Sequence, residues 1–243
     1  MSMGIDVSKW QGVIDFDAVK NSGVDFVIIR AGYGRLASQK DAYFERNYKN
    51  AKAVGLKVGA YWYSYAETVE EGKLEAAACL AVLDGRHMDL PVYFDVEEKR
   101  QFDKGRNFVD SLVTVFCSAI GDAGYIPGLY MSTCPLMAYV SESVRSRYTI
   151  WVAQYNVKCT YDGEYGIWQY SSKGSVPGIK GNVDMNICYK EFDTPLEERK
   201  TVEELAREVI AGKWGNGQDR KNRLAAAGYD YKAVQGKVNE MLR

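Results

Sequence analysis

The sequence predicts an α/β protein, an irregular (β/α) barrel of about eight strands with helices missing in its second half, followed by a small bundle of three helices. Three observations carry this reading. Eight short segments rich in β-branched and aromatic residues recur between residues 3 and 189, bounded by Gly, Pro or Asp. Helical patterns alternate with the early ones, the order that builds parallel βαβ units. Beyond residue 192 the pattern turns charged and then purely helical. With 243 residues, 47% of them hydrophobic, the chain is long enough for one sizeable core plus a small module.

The strand segments are MGIDVS (3–8), DFVIIRAG (25–32), KVGAYWYSYA (57–66), PVYFDVE (91–97), IPGLYMS (126–132), YTIWVAQY (148–155), YGIWQYS (165–171) and VDMNICY (183–189). Residues 15–22 make a short helix. The stretch 41–55 carries Tyr43, Phe44, Tyr48, Ala51 and Val54 at helical spacing and stops at Gly55. The stretch 68–85 opens on Thr68 with Glu71 three residues on, the pattern of a capping box. The stretch 103–124 lines up Phe108, Leu112, Val115, Phe116 and Ala119 on one face. From 149 to 190 only short Gly- and Pro-rich loops separate the strands, which predicts hairpin-type pairing there.

The expected domains are a barrel over 1–192, a charged connector over 193–200 (DTPLEERK) and a helical module over 201–243. The module starts at Thr201 with Glu204 as a second capping box, carries Val202, Leu205 and Val209 as an apolar stripe, and breaks its later helices at Gly228 and Tyr229. Its size is near the lower limit for folding alone.

Charge and rare residues narrow the function. The formal net charge is −1, so no nucleic-acid footprint covers the molecule. Residues 200–243 hold nine Lys/Arg against six Asp/Glu and net +3, which leaves −4 on the remainder and suggests two parts with different jobs. Five scattered cysteines (79, 117, 134, 159, 188) read as mostly free thiols in core positions. A single histidine, His87, excludes a His-based metal cluster, and the Cys/His spacing suits no zinc site, so no metal or cofactor is expected. No run approaches the ~20 apolar residues of a membrane span. MSMGIDVSKW lacks the basic start and apolar stretch of a secretory leader, so cytoplasmic synthesis without a signal peptide is expected.

The chemistry concentrates in VYFDVE (92–97). Alternation puts Val92, Phe94 and Val96 on a helix-packing face and Tyr93, Asp95 and Glu97 on the face toward a barrel lumen. The two acids are about 6.6 Å apart along the backbone at the C-terminal end of the strand, where barrel enzymes carry their chemistry. That spacing allows either a retaining or an inverting carboxyl pair. A bare DxE is more often a strand reaching solvent, but Asp6 interrupts GIDVS and Asp184 interrupts NVDMNIC. If first and last strands are neighbours, all four carboxylates face one mouth, and crowding raises at least one proton affinity as a general acid requires. Tyr61, Tyr63 and Tyr65 share a strand face, and Tyr33, Tyr130, Trp151 and Trp168 lie at or near other strand ends, where they either stack on sugar rings or pack the core. A barrel that holds glycan without cutting it is one alternative. Another is a phosphoesterase holding Mg²⁺ or Ca²⁺ on the four acids, but no phosphate cradle accompanies them.

At these residues the sequence resembles the Chalaropsis-type lysozymes of glycoside hydrolase family 25. The resemblance covers roughly 3–192 and rests on GIDVSKWQGVIDF (4–16), FVIIRAGYG (26–34), VGAYWYSYA (58–66), VYFDVEE (92–98) and VDMN (183–186). It implies a flattened, irregular barrel that cleaves the β-1,4 bond between N-acetylmuramic acid and N-acetylglucosamine of peptidoglycan with retention. By the same resemblance Glu97 is the general acid. Asp95 assists at the anomeric centre, as nucleophile or by positioning the substrate's N-acetyl group, and Asp6 and Asp184 hold and polarise the others. The tail VIAGKWGNGQDRKNRLAAAGYDYKAVQGKVNEML (209–242) resembles the choline-independent cell-wall-binding repeat of some pneumococcal-phage lysozymes, present here in one copy. That implies Trp214, Arg220, Arg223 and Tyr229 as muropeptide contacts, against a reading of Trp214 as bundle core and the arginines as a solvated face. The layout fits a phage or prophage endolysin released through a holin.

Overall fold

Eight strands close into one barrel in chain order: β1 Ser2–Val7, β2 Phe26–Tyr33, β3 Lys57–Tyr63, β4 Val92–Asp95, β5 Pro127–Ser132, β6 Thr149–Ala153, β7 Ile167–Gly174 and β8 Val183–Cys188. The computed structural model describes residues 1–192, 202–226, 229 and 231–242. It divides into two units, Met1–Thr194 and Pro195–Arg243. The predicted connector and the predicted cap Thr201 and break Gly228 lie outside the described residues.

Neighbouring strands from β1 to β7 are parallel, and β8 runs antiparallel to both β7 and β1. Hairpin pairing therefore holds for β7 and β8 alone. The pair β6/β7 is parallel, contrary to the sequence expectation, because the irregular stretch 154–166 supplies the dozen or so residues a crossover needs without forming a helix.

Seven helices flank the barrel: α1 Phe16–Asn21, α2 Phe44–Ala53, α3 Val69–Leu83, α4 Lys99–Phe102, α5 Arg106–Asp122, α6 Thr133–Tyr139 and α7 Glu142–Arg145. The last two occupy the β5–β6 connection, where the sequence analysis names no helix. Gly105 separates α4 from α5 at φ 82°, a conformation that costs a side-chain-bearing residue strain. Thr68 caps α3 by accepting from the Glu71 amide, while the Glu71 carboxylate reaches back to the Glu67 amide rather than to Thr68, so the capping box is displaced by one residue.

Alternation along the strands sorts the core into two layers. Outward residues such as Ile5, Val27, Ile29, Val58, Val92 and Val152 are buried against the helices. Phe94 stacks on Phe116 of α5 with ring centroids 4.0 Å apart. Inward residues Phe26, Ile28, Leu90, Tyr93, Ile167 and Cys188 fill the lumen toward the end where the parallel strands begin. A side chain at Gly128 would strike the Tyr93 ring, so this position must stay bare. The lumen is thus a packed core whose polar residues collect at the opposite end.

Cys79, Cys117 and Cys188 are buried, Cys159 is half-buried and Cys134 is exposed, all as free thiols. His87 lies against Asp89, 3.3 Å away. Among the described residues no helix is long and apolar enough to cross a membrane.

The second unit contains α8 Val202–Ile210, α9 Gly217–Ala226 and α10 Tyr231–Met241. Leu205, Ala206, Val209, Leu224, Val234 and Val238 form its core, with Trp214, Tyr229 and Tyr231 packed at the edge.

Candidate active site

Strand pairing assembles the acids. Because β8 closes the barrel antiparallel to β1, Asp184 stands directly across from Asp6 in the ladder. Three strands away, Asp95 ends β4. Glu97 follows two residues later, beyond the strand rather than within it as the alternation predicts, and lies at the open rim. Asp6 and Asp95 are buried, and Asp184 is half-buried.

The four carboxyls feel one another. Asp6 holds its proton well above the ordinary carboxylate range, first because it is buried and then because of the charge on Asp184. Burial also raises Asp95 well above that range, with Glu97 and Asp6 adding to the shift and the Arg30 guanidinium opposing it. Glu97 is raised first by partial burial of its carboxyl at the rim, then by the charges on Asp184 and Glu98. Burial raises Asp184 as well, and a hydrogen bond with Asp6 partly offsets that. Four such groups in one mouth disfavour one another's ionisation, so each holds a proton more readily than an isolated carboxyl does.

A buried amide framework fixes Asp6. Its Oδ2 accepts from Gln169 Nε2 at 2.9 Å and from Asn186 Nδ2 at 2.8 Å. Gln169 in turn accepts from the Tyr130 hydroxyl at 2.9 Å and the Tyr155 hydroxyl at 3.1 Å, and Asn186 accepts from Trp151 Nε1 at 2.8 Å. Asp95 lacks this support, since its buried Oδ1 has no hydrogen-bond partner.

Arg30 enters the lumen from β2 and pairs with the buried Asp41 at 2.6 Å. Asp41 also accepts the Lys9 and Tyr43 amides, which ties the turn after β1 to the site.

The predicted aromatics separate into three groups. Tyr130 and Trp151 are nearly inaccessible and form the floor under the acids, with Tyr61 half-buried beside Trp151. Tyr33 and Tyr63 stand at the rim with Tyr65, at centroid distances of 6.0 Å (Tyr33–Tyr65) and 5.0 Å (Tyr63–Tyr65), and the Tyr63 hydroxyl donates to Glu98. Trp168 is a correction. It packs in the outer core and donates Nε1 to the Gln154 carbonyl, because alternation places it opposite to its inward neighbour Gln169.

Sequence reasoning missed Gln169, Asn186, Tyr155 and the Arg30–Asp41 pair. The first two carry the signal that singled out the acids, a polar residue interrupting an apolar strand. Tyr155 lies in an irregular loop and carries no such signal. Its ring is 59% exposed at the mouth while its hydroxyl reaches inward.

Behind the rim, Glu75 of α3 is fully buried and holds the loop after β3, accepting from the Ser64 hydroxyl and the Tyr65 amide, each at 2.7 Å. Burial pushes its pKa up to about 7 from the ordinary 4.5, while those two donors pull the other way. With the folded value above the unfolded one, ionisation costs stability that is untouched below about 4.5 and fully lost above about 7. Glu75→Gln should flatten the slope of melting temperature against pH across that window in scanning calorimetry, and an unchanged slope would contradict this origin.

A cavity of about 800 Å³ lies at the other end of the barrel. Thr149, Ile150, Glu164, Lys190 and Phe192 are among the residues lining it, far along the strands from the carboxylates, so volume is a poor guide here and the clustered acids mark the site.

The profile of glycosyl hydrolases family 25 matches residues 5–179. The chain belongs to this family. A second profile, the CW_7 repeat, matches residues 203–242. The autolytic lysozyme of Clostridium acetobutylicum is 32% identical over 184 residues, which is 75% of this chain and 54% of that protein, so the chain spans about half the length of that relative. The lysozyme of Streptococcus phage Cp-7 is 30% identical over 250 residues, covering 98% of this chain and 69% of the phage protein. A bacterial lysozyme structure from Streptomyces coelicolor superposes with a TM-score of 0.70 at 25% identity, over 78% of this chain and 93% of that one.

Within the CW_7 unit, Trp214 donates to Glu208 and meets Tyr229 edge-on at 6.0 Å, a role at the edge of the bundle core. Arg220 donates to the Gly215 carbonyl, to Asn216 and to Gln235, which fastens the α8–α9 turn to α10. Arg223 pairs with Asp219 on the exposed face of α9 at 2.9 Å. Arg220→Ala should therefore lower the thermal stability of the second unit by about 1–3 kcal/mol, whereas Arg223→Ala should change it by less than about 1. Circular dichroism melts of the full chain compare the two.

Proposed function

We propose that the protein is an N-acetylmuramidase that hydrolyses the β-1,4 bond between N-acetylmuramic acid and N-acetylglucosamine of bacterial peptidoglycan, with retention. The observation that carries this reading is the convergence of four carboxyls with raised proton affinity at one end of a family 25 barrel, with one of them, Glu97, at the open rim. Glu97 gives its proton to the glycosidic oxygen as the bond breaks. Asp95, at the end of β4 two residues before Glu97, stabilises the anomeric carbon as nucleophile or by orienting the neighbouring N-acetyl group. Asp6, clamped by Gln169 and Asn186, shares a proton with Asp184 and sets the field under the other two. The exposed Tyr155 ring and the Tyr33–Tyr63–Tyr65 cluster offer apolar faces to sugar rings beside the acids.

The CW_7 unit is read as the wall anchor, with Arg223 and Tyr229 as its better-placed contact residues and Trp214 and Arg220 as its frame. Release of the enzyme from the host cytoplasm through a holin, toward the cell wall, belongs to the same proposal.

Mass spectrometry of digested peptidoglycan tests the reaction. Fragments ending in reducing N-acetylmuramic acid are expected. Reducing N-acetylglucosamine would make the enzyme a glucosaminidase, and the absence of new reducing ends would leave a binding protein.

A further inference from the structure

A groove of about 530 Å³ opens at Tyr65, beside the Tyr33–Tyr63–Tyr65 cluster. Its walls are the loop after β2 (Arg35, Leu36), the loop after β3 (Tyr65), the start of α3 (Glu71, Leu74) and Arg100 of α4. It is continuous with the proposed glycan site, since Tyr65 packs against both Tyr33 and Tyr63, and Tyr63 donates to Glu98 beside the acid pair. The Arg100 guanidinium lies over the Tyr65 ring at 5.5 Å.

The lining is unlike a sugar site. Leu36 is 61% exposed and Leu74 53%, two largely solvent-facing aliphatic side chains on the groove's wall. Two arginines flank them, each paired with a carboxylate: Arg35 with the half-buried Glu71 at 2.6 Å and Arg100 with the more exposed Glu67 at 2.9 Å. Sugar hydroxyls and ring faces call for aromatics and neutral hydrogen-bonding groups. Aliphatic patches set among arginines suit a short peptide with methyl side chains and carboxylates, which can add a carboxylate to the exposed Arg35 guanidinium and compete with Glu67 for Arg100. Peptidoglycan carries such a peptide on the lactyl ether of its muramic acid residues.

We propose that this groove binds the peptide branch of the wall glycan, so that the enzyme prefers peptide-bearing strands over bare ones. The proposal rests on the muramidase reading above. Arg35→Glu combined with Leu36→Ser tests it, as both side chains are exposed, lie outside the acid cluster and can change without unfolding the barrel. The substrates are soluble uncross-linked glycan strands, with their peptides intact or removed by an amidase, and release of reducing ends is followed. The native chain should show kcat/KM roughly tenfold higher on the peptide-bearing strands, the size of one charge-assisted contact. The variant should fall to the bare-strand value on the first substrate and be unchanged on the second. Equal loss on both substrates would mean that the groove holds glycan, and no loss on either that it is unused; each overturns the proposal while leaving the muramidase reading intact. A native chain inactive on both substrates would sink the muramidase reading and the proposal with it. Unchanged melting temperature in the variant confirms that folding is not the cause.

Discussion

Glu97→Gln is expected to lower release of reducing ends from cell walls by about 10²–10⁴-fold, the range for removing a positioned general acid. The fold should not notice. Glu97 lies past the end of β4 at the solvent rim and, among the described residues, is tied to none by a hydrogen bond or ion pair, so the melting temperature should move by no more than a degree or two. The native enzyme should also lose activity as pH rises through the elevated Glu97 value, because the deprotonated form cannot donate. The residual activity of the glutamine variant should lack that alkaline limb. Native-level lysis by the variant, or the same limb in it, would remove Glu97 from this role.

Asp95→Asn should be nearly as inactive and, at neutral pH, more stable than the native chain. Asp95 is 4% exposed, one of its oxygens is unbonded, and its proton affinity is raised well above the usual carboxylate range by burial and by Glu97 and Asp6. A carboxyl whose folded pKa lies above its unfolded one burdens the fold only when ionised. The burden is absent below the unfolded value near 3.9, grows as pH rises toward the folded value and is complete above it. Asparagine keeps the shape and removes the charge. A gain of about 1–3 kcal/mol at pH 7 is expected, worth about 2–4 °C of melting temperature per kcal/mol in a domain of this size, and it should shrink to nothing near pH 4. A lower melting temperature at pH 7 would show instead that the ionised carboxylate holds the barrel together. Either way the experiment measures what stability this chain forgoes to keep a reactive acid out of water.

Much of this arrangement is legible in the sequence, and the exceptions have physical causes. The content of β-branched and aromatic residues finds all eight strands, and alternation within VYFDVE assigns Asp95 inward and Phe94 outward, because the outer face is covered by helices while the lumen, apolar below, turns polar at one end. The same rule, applied to IWQY, would have turned Trp168 outward once Gln169 was taken as the inward polar residue; aromatic character alone misleads at that point. Tyr33 is the reverse case. Strict alternation from Val27 and Ile29 would send it to the helix-facing side, but a bulge between Arg30 and Gly32 shifts the register and aligns it with Tyr63, and Gly32 is the one hint of it in FVIIRAGY. The parallel β6/β7 pair was hidden for a related reason. A crossover is recognised by its helix, and this one has none. The amide clamp on Asp6 needs three-dimensional closure, since Gln169 and Asn186 come from two different strands of the far half of the chain.

That closure has a consequence for how the protein is made. Strand β8 is the last to leave the ribosome, and it alone both seals the sheet and delivers Asp184 and Asn186 to their places opposite Asp6. Until it docks, the nascent polypeptide exposes two unpaired sheet edges, on β1 and β7, that invite sticking to other chains. A translation product cut short before residue 183 would thus lack Asp184 and the Asn186 clamp on Asp6 and be prone to clump.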